Sequence, residues 1–206
     1  MPRSKVTWRS VPAAALWLAL AGGGLWLLQA YQGAPGARAP SPTCWPGDSR
    51  VLHRPGGFHL VLFAHPRCPC TRATVGELAR TVARGGRPLA VDVLFFRPHQ
   101  GVAAWPRTEL WRWAAAIPGA RVGWDEGGVE ARRFGARTSG HVVVYDAGGN
   151  LRFSGGITGA RGHEGDNPGS DAVVALLRGE GRERQDPPVF GCPLEAPCEL
   201  CQEARP

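Results

Sequence analysis

Apolar and polar positions divide the chain into one long uncharged run and a following region in which short apolar segments alternate with turn residues. The uncharged run covers residues 11–31 and is rich in Ala, Leu and Trp. At a rise of ~1.5 Å per residue, an apolar helix of this length just crosses the ~30 Å hydrocarbon core of a bilayer. The pattern therefore predicts a transmembrane helix over residues 11–31.

The region after this run has the periods of an α/β domain. Nearly continuous apolar runs at 58–64 and 89–96 are typical of strands buried on both faces, and apolar residues at helical spacing follow each of them. A β-branched strand at 141–145 and its hairpin partner at 151–153 come next, before a last helix at 171–177. We therefore expect an α/β sandwich with a central mixed sheet flanked by helices.

Charge around the apolar run predicts its orientation. Arg3, Lys5 and Arg9 precede it, and positive charge before a span keeps that end cytoplasmic. Residues 1–10 are thus predicted to be cytoplasmic and the domain to be periplasmic or extracellular. Small residues follow the run, as in a cleaved signal peptide, but the run is longer than the usual signal core. An uncleaved anchor is the preferred interpretation, and either alternative exports the domain.

Composition shifts mark the remaining boundaries. Residues 32–43 have the Gly, Pro and Ala content of a linker. The folded domain is predicted over residues 44–189. Residues 190–206 form a tail that is rich in Cys and Pro and too short to hold a core of its own.

Overall composition limits the classes of function. The chain has 206 residues, of which 43% are hydrophobic and 20% are charged, as in a globular protein. The net charge of +7 would suit nucleic acid, but the arginines are scattered and are not interleaved with aromatic residues. We expect no nucleic-acid partner.

The six cysteines gain meaning from the predicted export, because disulfides form in oxidising compartments. Spacing alone does not determine their pairing. The later ones could act as a thiol relay, a metal clip or simple staples for the tail, and staples are the default interpretation. The six residues are Cys44, Cys68, Cys70, Cys192, Cys198 and Cys201.

Two of these cysteines, in Cys68-Pro69-Cys70, come where a buried strand gives way to a helix. We predict Cys68 at the N-cap and Pro69 at the first helical position, where its missing N–H costs nothing. The open amides and dipole of the helix then favour a thiolate, and Arg67 and Arg72 should act in the same direction. Cys68, predicted to be nearer the solvent, is the candidate nucleophile, and Cys70 would resolve the mixed disulfide.

The short spacing suggests the redox character of this pair. A bridge between cysteines two residues apart closes a tight ring, and strained disulfides are easily reduced and favour oxidase or isomerase activity. The structural alternative is that both cysteines pair elsewhere, one of them with Cys44.

Three segments resemble a known superfamily. Residues 60–73 (LVLFAHPRCPCTRA) and 134–146 (FGARTSGHVVVYD) are similar to the thioredoxin-like superfamily. The Cys-Pro-Cys motif together with residues 153–167 (FSGGITGARGHEGDN) resembles the membrane-anchored bacterial subgroup called RedB-like. The resemblance implies a thioredoxin fold and a redox role.

The chain departs from the superfamily pattern at two positions. Arg67 stands where the nucleophile of the usual four-residue motif is found, and Gly140 replaces the cis-proline that faces the redox pair. The resemblance implies that Pro69, Gly140 and His141 shape the substrate groove. A peroxiredoxin is excluded because no threonine stands three residues before either cysteine.

A copper site is the runner-up. His65 and His141 are predicted to lie near Cys68 and Cys70, and two thiolates with imidazole suit Cu(I). Each histidine taken alone is better explained without a metal, His65 as a polar residue at a strand end and His141 as a residue that enters a strand. A third alternative is an interaction module without catalysis, since a fold does not determine a function.

The preferred prediction is a membrane-anchored, extracytoplasmic thiol–disulfide oxidoreductase that needs no cofactor. Its expected partners are thiols or disulfides of exported proteins, and its direction of electron flow stays open. The glycine-rich run 155–169 is predicted to be either a lid beside the redox pair or an ordinary solvated loop.

Overall fold

The structure, a computed structural model, describes residues 11–98, 107–181 and 183–195. The chain divides into two compact units, residues 1–34 and 35–206. The first unit contains helix α1, Val11–Gly33, which is long and apolar enough to cross a membrane. A signal sequence near an N-terminus can meet the same criteria of length and hydropathy. The predicted apolar helix is therefore confirmed and extends two residues further than expected.

The second unit is built on a five-stranded sheet with the strand order β3-β2-β1-β4-β5. Strands β1, β2 and β3 are parallel to one another, β4 pairs antiparallel with β1, and β5 pairs antiparallel with β4. The elements of this unit are β1 (Phe58–Ala64), α2 (Cys70–Arg84), β2 (Leu89–Arg97), α3 (Glu109–Ala115), β3 (Ala120–Glu126), α4 (Val129–Arg133), β4 (His141–Tyr145), β5 (Leu151–Gly156) and α5 (Pro168–Arg178).

Strand β1 lies in the middle of the sheet and is buried along its whole length. Successive side chains of a strand point to opposite faces. Leu60 and Leu62 accordingly pack in the cluster that includes residues of α2 and α5, whereas Val61 and Phe63 pack in a second cluster with Phe134. The continuous apolar run of the sequence is therefore explained by burial on both faces.

This architecture confirms the predicted fold class. The unit β1-α2-β2 is followed by the hairpin β4-β5 and helix α5, which is the order of a thioredoxin-like domain with a mixed sheet between helices. The strand-to-helix junction that carries the cysteine motif lies at the end of the central strand.

Part of the predicted linker packs on the domain. The Gly36 amide donates to the Val189 carbonyl at 2.7 Å, and the Ala39 amide donates to the Gly135 carbonyl at 3.0 Å. Ser41 is buried. A Pro-rich composition does not distinguish a free spacer from an extended segment packed on a surface, because neither forms a regular helix or strand.

The loop before β4 depends on a glycine. Gly140 has φ of +96°, and its amide donates to the Phe63 carbonyl at 2.8 Å. An added Cβ would lie 3.0 Å from Thr74 Oγ1 on α2. Gly140 thus holds the loop against β1 in a conformation that proline, with φ fixed near −65°, cannot adopt.

Gly140→Ala should lower the free energy of unfolding by about 1–3 kcal/mol, because it combines a left-handed backbone with a close contact. The measurement is urea unfolding of the full-length chain in mild detergent, followed by tryptophan fluorescence. Gly86→Ala is the matched control, since among the described residues no heavy atom beyond its chain neighbours lies within 4 Å of its added Cβ. Equal stability of the two variants would contradict the assigned role of Gly140.

Candidate functional site

The cysteine motif lies in the turn between β1 and α2. The Cys68 amide donates to the His65 carbonyl at 3.1 Å, and the Thr71 amide donates to the Cys68 carbonyl at 3.1 Å. Helix α2 begins at Cys70, and Pro69 is its N-cap residue, with φ of −63° and ψ of −30°. The helix therefore starts slightly later than the sequence indicated, while both cysteines stay at its first turn.

A third sulfur joins the pair. The Sγ atoms of Cys68, Cys70 and Cys192 all lie within 4.8 Å of one another. Cys192 comes from the segment after α5, which the sequence analysis treated as a tail with staples. Cys198 and Cys201 lie outside the described residues, and the four described cysteines, including Cys44, are free thiols.

The burial of the motif differs from the expectation. Cys68 is only 2% exposed, whereas Cys70 is half-buried. The prediction that Cys68 lies nearer the solvent is thus wrong. Its thiol is enclosed because Thr71 and Cys192 both hydrogen-bond to it.

A chain of hydrogen bonds supports Cys68 from below. The His65 amide donates to Ser139 Oγ at 2.8 Å, and Ser139 Oγ lies 2.7 Å from Thr71 Oγ1. The Thr71 hydroxyl in turn hydrogen-bonds to Cys68. Because a hydroxyl has one proton to give, donation from Thr71 to the sulfur requires Ser139 to donate to Thr71. All of these hydroxyl groups are buried.

These contacts make Cys68 the sulfur that ionises first. Burial alone raises the pKa of Cys68, but the hydrogen bonds from Thr71 and Cys192 outweigh it and lower the pKa overall. Burial raises the pKa of Cys70, and the neighbouring Cys68 raises it further. Burial and the hydrogen bond to Cys68 raise the pKa of Cys192 to about 12. The pKa of Cys68 is therefore shifted down while those of Cys70 and Cys192 are shifted up, which makes Cys68 the strongest acid of the three.

A positive charge reaches the sulfurs from the glycine-rich loop. The charge of Arg161 acts to lower the pKa values of Cys70 and Cys192 against their burial, and its guanidinium donates to the Gly191 carbonyl. Arg72, which the motif suggested for this role, places its guanidinium 4.6 Å from the ring centroid of Trp113.

A buried carboxylate fixes this loop to the motif helix. Glu77 of α2 is 2% exposed and accepts from the Gly165 amide at 2.5 Å and from Arg80 at 2.6 Å. Arg80 also pairs with Glu164 at 3.1 Å. Of the two predictions for residues 155–169, this anchoring favours a segment held beside the redox pair over a freely solvated loop.

The predicted histidines do not join the sulfurs. His141 is fully buried, and its Nε2 lies 3.0 Å from Ser154 Oγ. His65 Nδ1 accepts from the Arg67 amide at 3.2 Å. Burial lowers the pKa of each histidine to about 4. Within the described ranges, the group of possible metal ligands here contains the three cysteines and neither histidine.

The three residues predicted to shape the substrate groove lie in three different surroundings. Pro69 is exposed at the tip of the motif, Gly140 follows Ser139 in the supporting loop, and His141 is enclosed in the sheet. A cavity of about 360 Å³ lies between the motif and α3, with Cys68, Pro69 and Trp113 among its lining residues. This cavity is a possible approach to Cys68.

Comparison with known proteins supports the fold. No family model and no curated protein matches the chain. A hypothetical protein from Sinorhizobium meliloti 1021 superposes with a TM-score of 0.52 at 22% identity, over 80% of this chain and 96% of that protein. An uncharacterized conserved protein from Geobacillus kaustophilus gives 0.53 at 17% identity, over 81% and 94% of the two chains.

A weaker likeness is to a secreted Mycobacterium tuberculosis disulfide oxidoreductase homologous to E. coli DsbE. It has a TM-score of 0.40 at 16% identity, over 61% of this chain and 83% of that protein. The sheet order and the placement of the cysteine motif define a thioredoxin-like domain.

Thr71→Val should slow the alkylation of Cys68 near pH 7 by roughly tenfold, because a hydrogen bond to a charged group contributes about 1.5–3 kcal/mol. The thiolate is the reacting species, so the midpoint of the rate–pH profile should move to higher pH. Iodoacetamide labelling followed by peptide mass spectrometry measures Cys68 separately from the other thiols.

The matched control is Thr81→Val. Thr81 lies on the same helix and is also buried, but its hydroxyl has no hydrogen-bond partner among the residues that the structure describes. Its profile should coincide with that of the unsubstituted chain. If Thr71→Val gave the same profile as this control, the assigned hydrogen-bond support would be incorrect.

Proposed function

We propose that this protein is a membrane-anchored, extracytoplasmic thiol–disulfide oxidoreductase. The observation that carries the proposal is the cluster of three cysteine sulfurs at the start of α2, in which Thr71 and Cys192 lower the pKa of Cys68 although burial opposes them. An attacking thiol needs its thiolate form, and two further sulfurs lie within 4.8 Å to complete the exchange. The resemblance of the motif and of residues 153–167 to RedB-like proteins supports the same class.

The chemistry follows from the three sulfurs. The Cys68 thiolate attacks one sulfur of a substrate disulfide, a Cys68–substrate bond forms, and the second substrate sulfur leaves as a thiolate and takes a proton from water. A second cysteine of the site then attacks Cys68 Sγ and releases the substrate as a dithiol. In the reverse direction, the oxidised site oxidises a substrate dithiol.

The location of this chemistry is part of the proposal. Helix α1 serves as the anchor, with the basic residues 1–10 in the cytoplasm and the domain outside. The substrates are thiols or disulfides of exported proteins. Gly140 leaves a supporting loop without a cis-proline, so recognition depends on the motif, the loop and the adjoining cavity.

Cys68→Ser should reduce the rate of insulin reduction by dithiothreitol about 100-fold or more, because a serine hydroxyl neither ionises at neutral pH nor forms a disulfide. The full-length chain in detergent is the sample. Cys44→Ser is the control, since Cys44 is exposed and its sulfur is outside the group of three.

Undiminished turnover by Cys68→Ser would eliminate the proposed mechanism. Full activity of the unsubstituted chain would in turn exclude the alternative of a non-catalytic interaction module. The two outcomes are separable, because the first compares variants and the second compares the protein with buffer.

A second candidate function, Cu(I) binding, is favoured by the same cluster. Three sulfurs within 4.8 Å of one another offer a soft ligand set of the kind that Cu(I) selects. In this version of the copper hypothesis, Cys192 takes the place that the sequence analysis gave to His65 or His141. Arg161 is close enough to offset part of the negative charge of several thiolates.

Copper binding predicts one tightly held Cu(I) per reduced chain. Cys192→Ser should weaken the affinity at least tenfold through loss of one thiolate ligand, whereas Cys44→Ser should not change it. Titration against a competing Cu(I) chelator measures both. Failure of the reduced chain to take Cu(I) stoichiometrically from the chelator would remove this candidate and leave the redox proposal intact.

A further inference from the structure

The segment after α5 adds to the domain as a peptide would. The Ser139 amide donates to the Cys192 carbonyl at 2.8 Å, and the Leu194 amide donates to the Arg137 carbonyl at 2.9 Å. Thr138 and Pro193 form an antiparallel bridge between these contacts. Main-chain pairing of this kind is the usual way in which an extended peptide is held on a domain.

Side chains on both sides of Cys192 fix this segment in place. Val189 and Leu194 are each 1% exposed, so both are anchored in the domain. Between them, Gly191 lies so close to the supporting loop that an added Cβ would be 2.0 Å from the Ser139 carbonyl oxygen. The Gly191 carbonyl also accepts from Arg161. Cys192 is therefore held by the same loop that supports Cys68.

The sulfurs of Cys192 and Cys68 lie within 4.8 Å of each other. The thiol and the backbone amide of Cys192 both act to lower the pKa of Cys68. Because the two residues come from separate segments, a bond between them does not have to close within one turn of backbone. The half-buried thiol of Cys192 is therefore placed as a second reacting group beside Cys68.

Cys70 is less suited to close a bond with Cys68. Pro69 between them has helical dihedral angles, and Cys70 is already the first residue of α2. A bond between residues only two apart closes a tight ring through Pro69. A disulfide requires specific geometry, so a Cys68–Cys70 bond would have to rearrange the start of the helix, which the hydrogen bond from Thr71 to the Cys68 carbonyl holds.

We infer that Cys192 is the resolving cysteine of this site and forms the internal disulfide with Cys68. The inference rests on the proposed function. It assigns to Cys192, instead of Cys70, the attack that resolves the Cys68–substrate disulfide. The Cys192 thiolate attacks Cys68 Sγ in the Cys68–substrate disulfide, the Cys68–Cys192 bond forms, and the substrate sulfur leaves and is protonated. Two thiols of the protein are oxidised, and one substrate disulfide is reduced to a dithiol.

The electrostatics of the resting site agree with this sequence of steps. Burial, the hydrogen bond to Cys68 and the Cys68 charge keep the pKa of Cys192 high. The last two causes disappear once Cys68 is bonded to substrate and is no longer a thiolate, whereas the charge of Arg161 remains. The raised pKa favours the protonated form of Cys192 before the reaction. After Cys68 has reacted, two causes of the raised pKa are gone and the Cys192 thiolate forms more readily.

Disulfide mapping tests this assignment. The full-length chain in detergent is equilibrated in buffers of reduced and oxidised glutathione, acid-quenched and mapped by peptide mass spectrometry. We expect a cross-link between the motif peptide and the Cys192 peptide, which persists in Cys70→Ser and is lost in Cys68→Ser. Cys44→Ser serves as the control and should retain the cross-link.

A second measurement uses glutathione as the probe substrate. Cys192→Ser should accumulate the Cys68–glutathione adduct at least tenfold over the unsubstituted chain, because the resolving thiol is missing. Circular dichroism of the same samples checks folding, and the mapping of the unsubstituted chain does not depend on this variant.

The possible failures are distinguishable. A Cys68–Cys70 bond as the main oxidised form, or a cross-link that survives in Cys68→Ser and is lost in Cys70→Ser, would overturn the role of Cys192 while leaving Cys68 as a redox cysteine. Absence of any Cys68 disulfide in all buffers would overturn both this inference and the proposed function.

Discussion

The hydrogen-bond chain from the His65 amide through Ser139 and Thr71 to the Cys68 sulfur is the constraint on which the site depends. It joins the end of β1, the loop before β4 and the first turn of α2, three parts of the domain that meet only after the sheet has formed. Buried hydroxyl groups are costly unless they are paired. The hydroxyl groups of Ser139 and Thr71 thus satisfy each other's hydrogen bonding and at the same time favour the Cys68 thiolate.

Local sequence patterns predicted the scaffold well because the scaffold is locally encoded. The run at 58–64 is apolar at every position since β1 is central and both of its faces are covered. The cysteine motif was recognisable because a strand ending in a short turn, a proline and a helical repeat leaves few alternatives for the backbone. The same reasoning placed the helix start within two residues of where it lies.

The site itself was less predictable, because its partners are distant in sequence. No sequence pattern near Cys192 indicates that its segment pairs with residues 137–139, and its composition suggested a tail. Cys68 was expected to lie nearer the solvent because the sequence does not show that the segment with Cys192 packs beside it. The role expected of His141 failed for a related reason: a polar residue entering a strand carries no sign of whether Ser154 will face it across the sheet.

The late position of Cys192 in the chain links chemistry to the completion of folding. A polypeptide leaves its point of synthesis from the N-terminus onward, so the sheet and Cys68 precede the segment that carries Val189 and Leu194. Until that segment docks, the Cys192 sulfur is not held within 4.8 Å of Cys68. An unfinished chain therefore has the two motif cysteines without the third sulfur, and the three-sulfur site exists only in the completed domain.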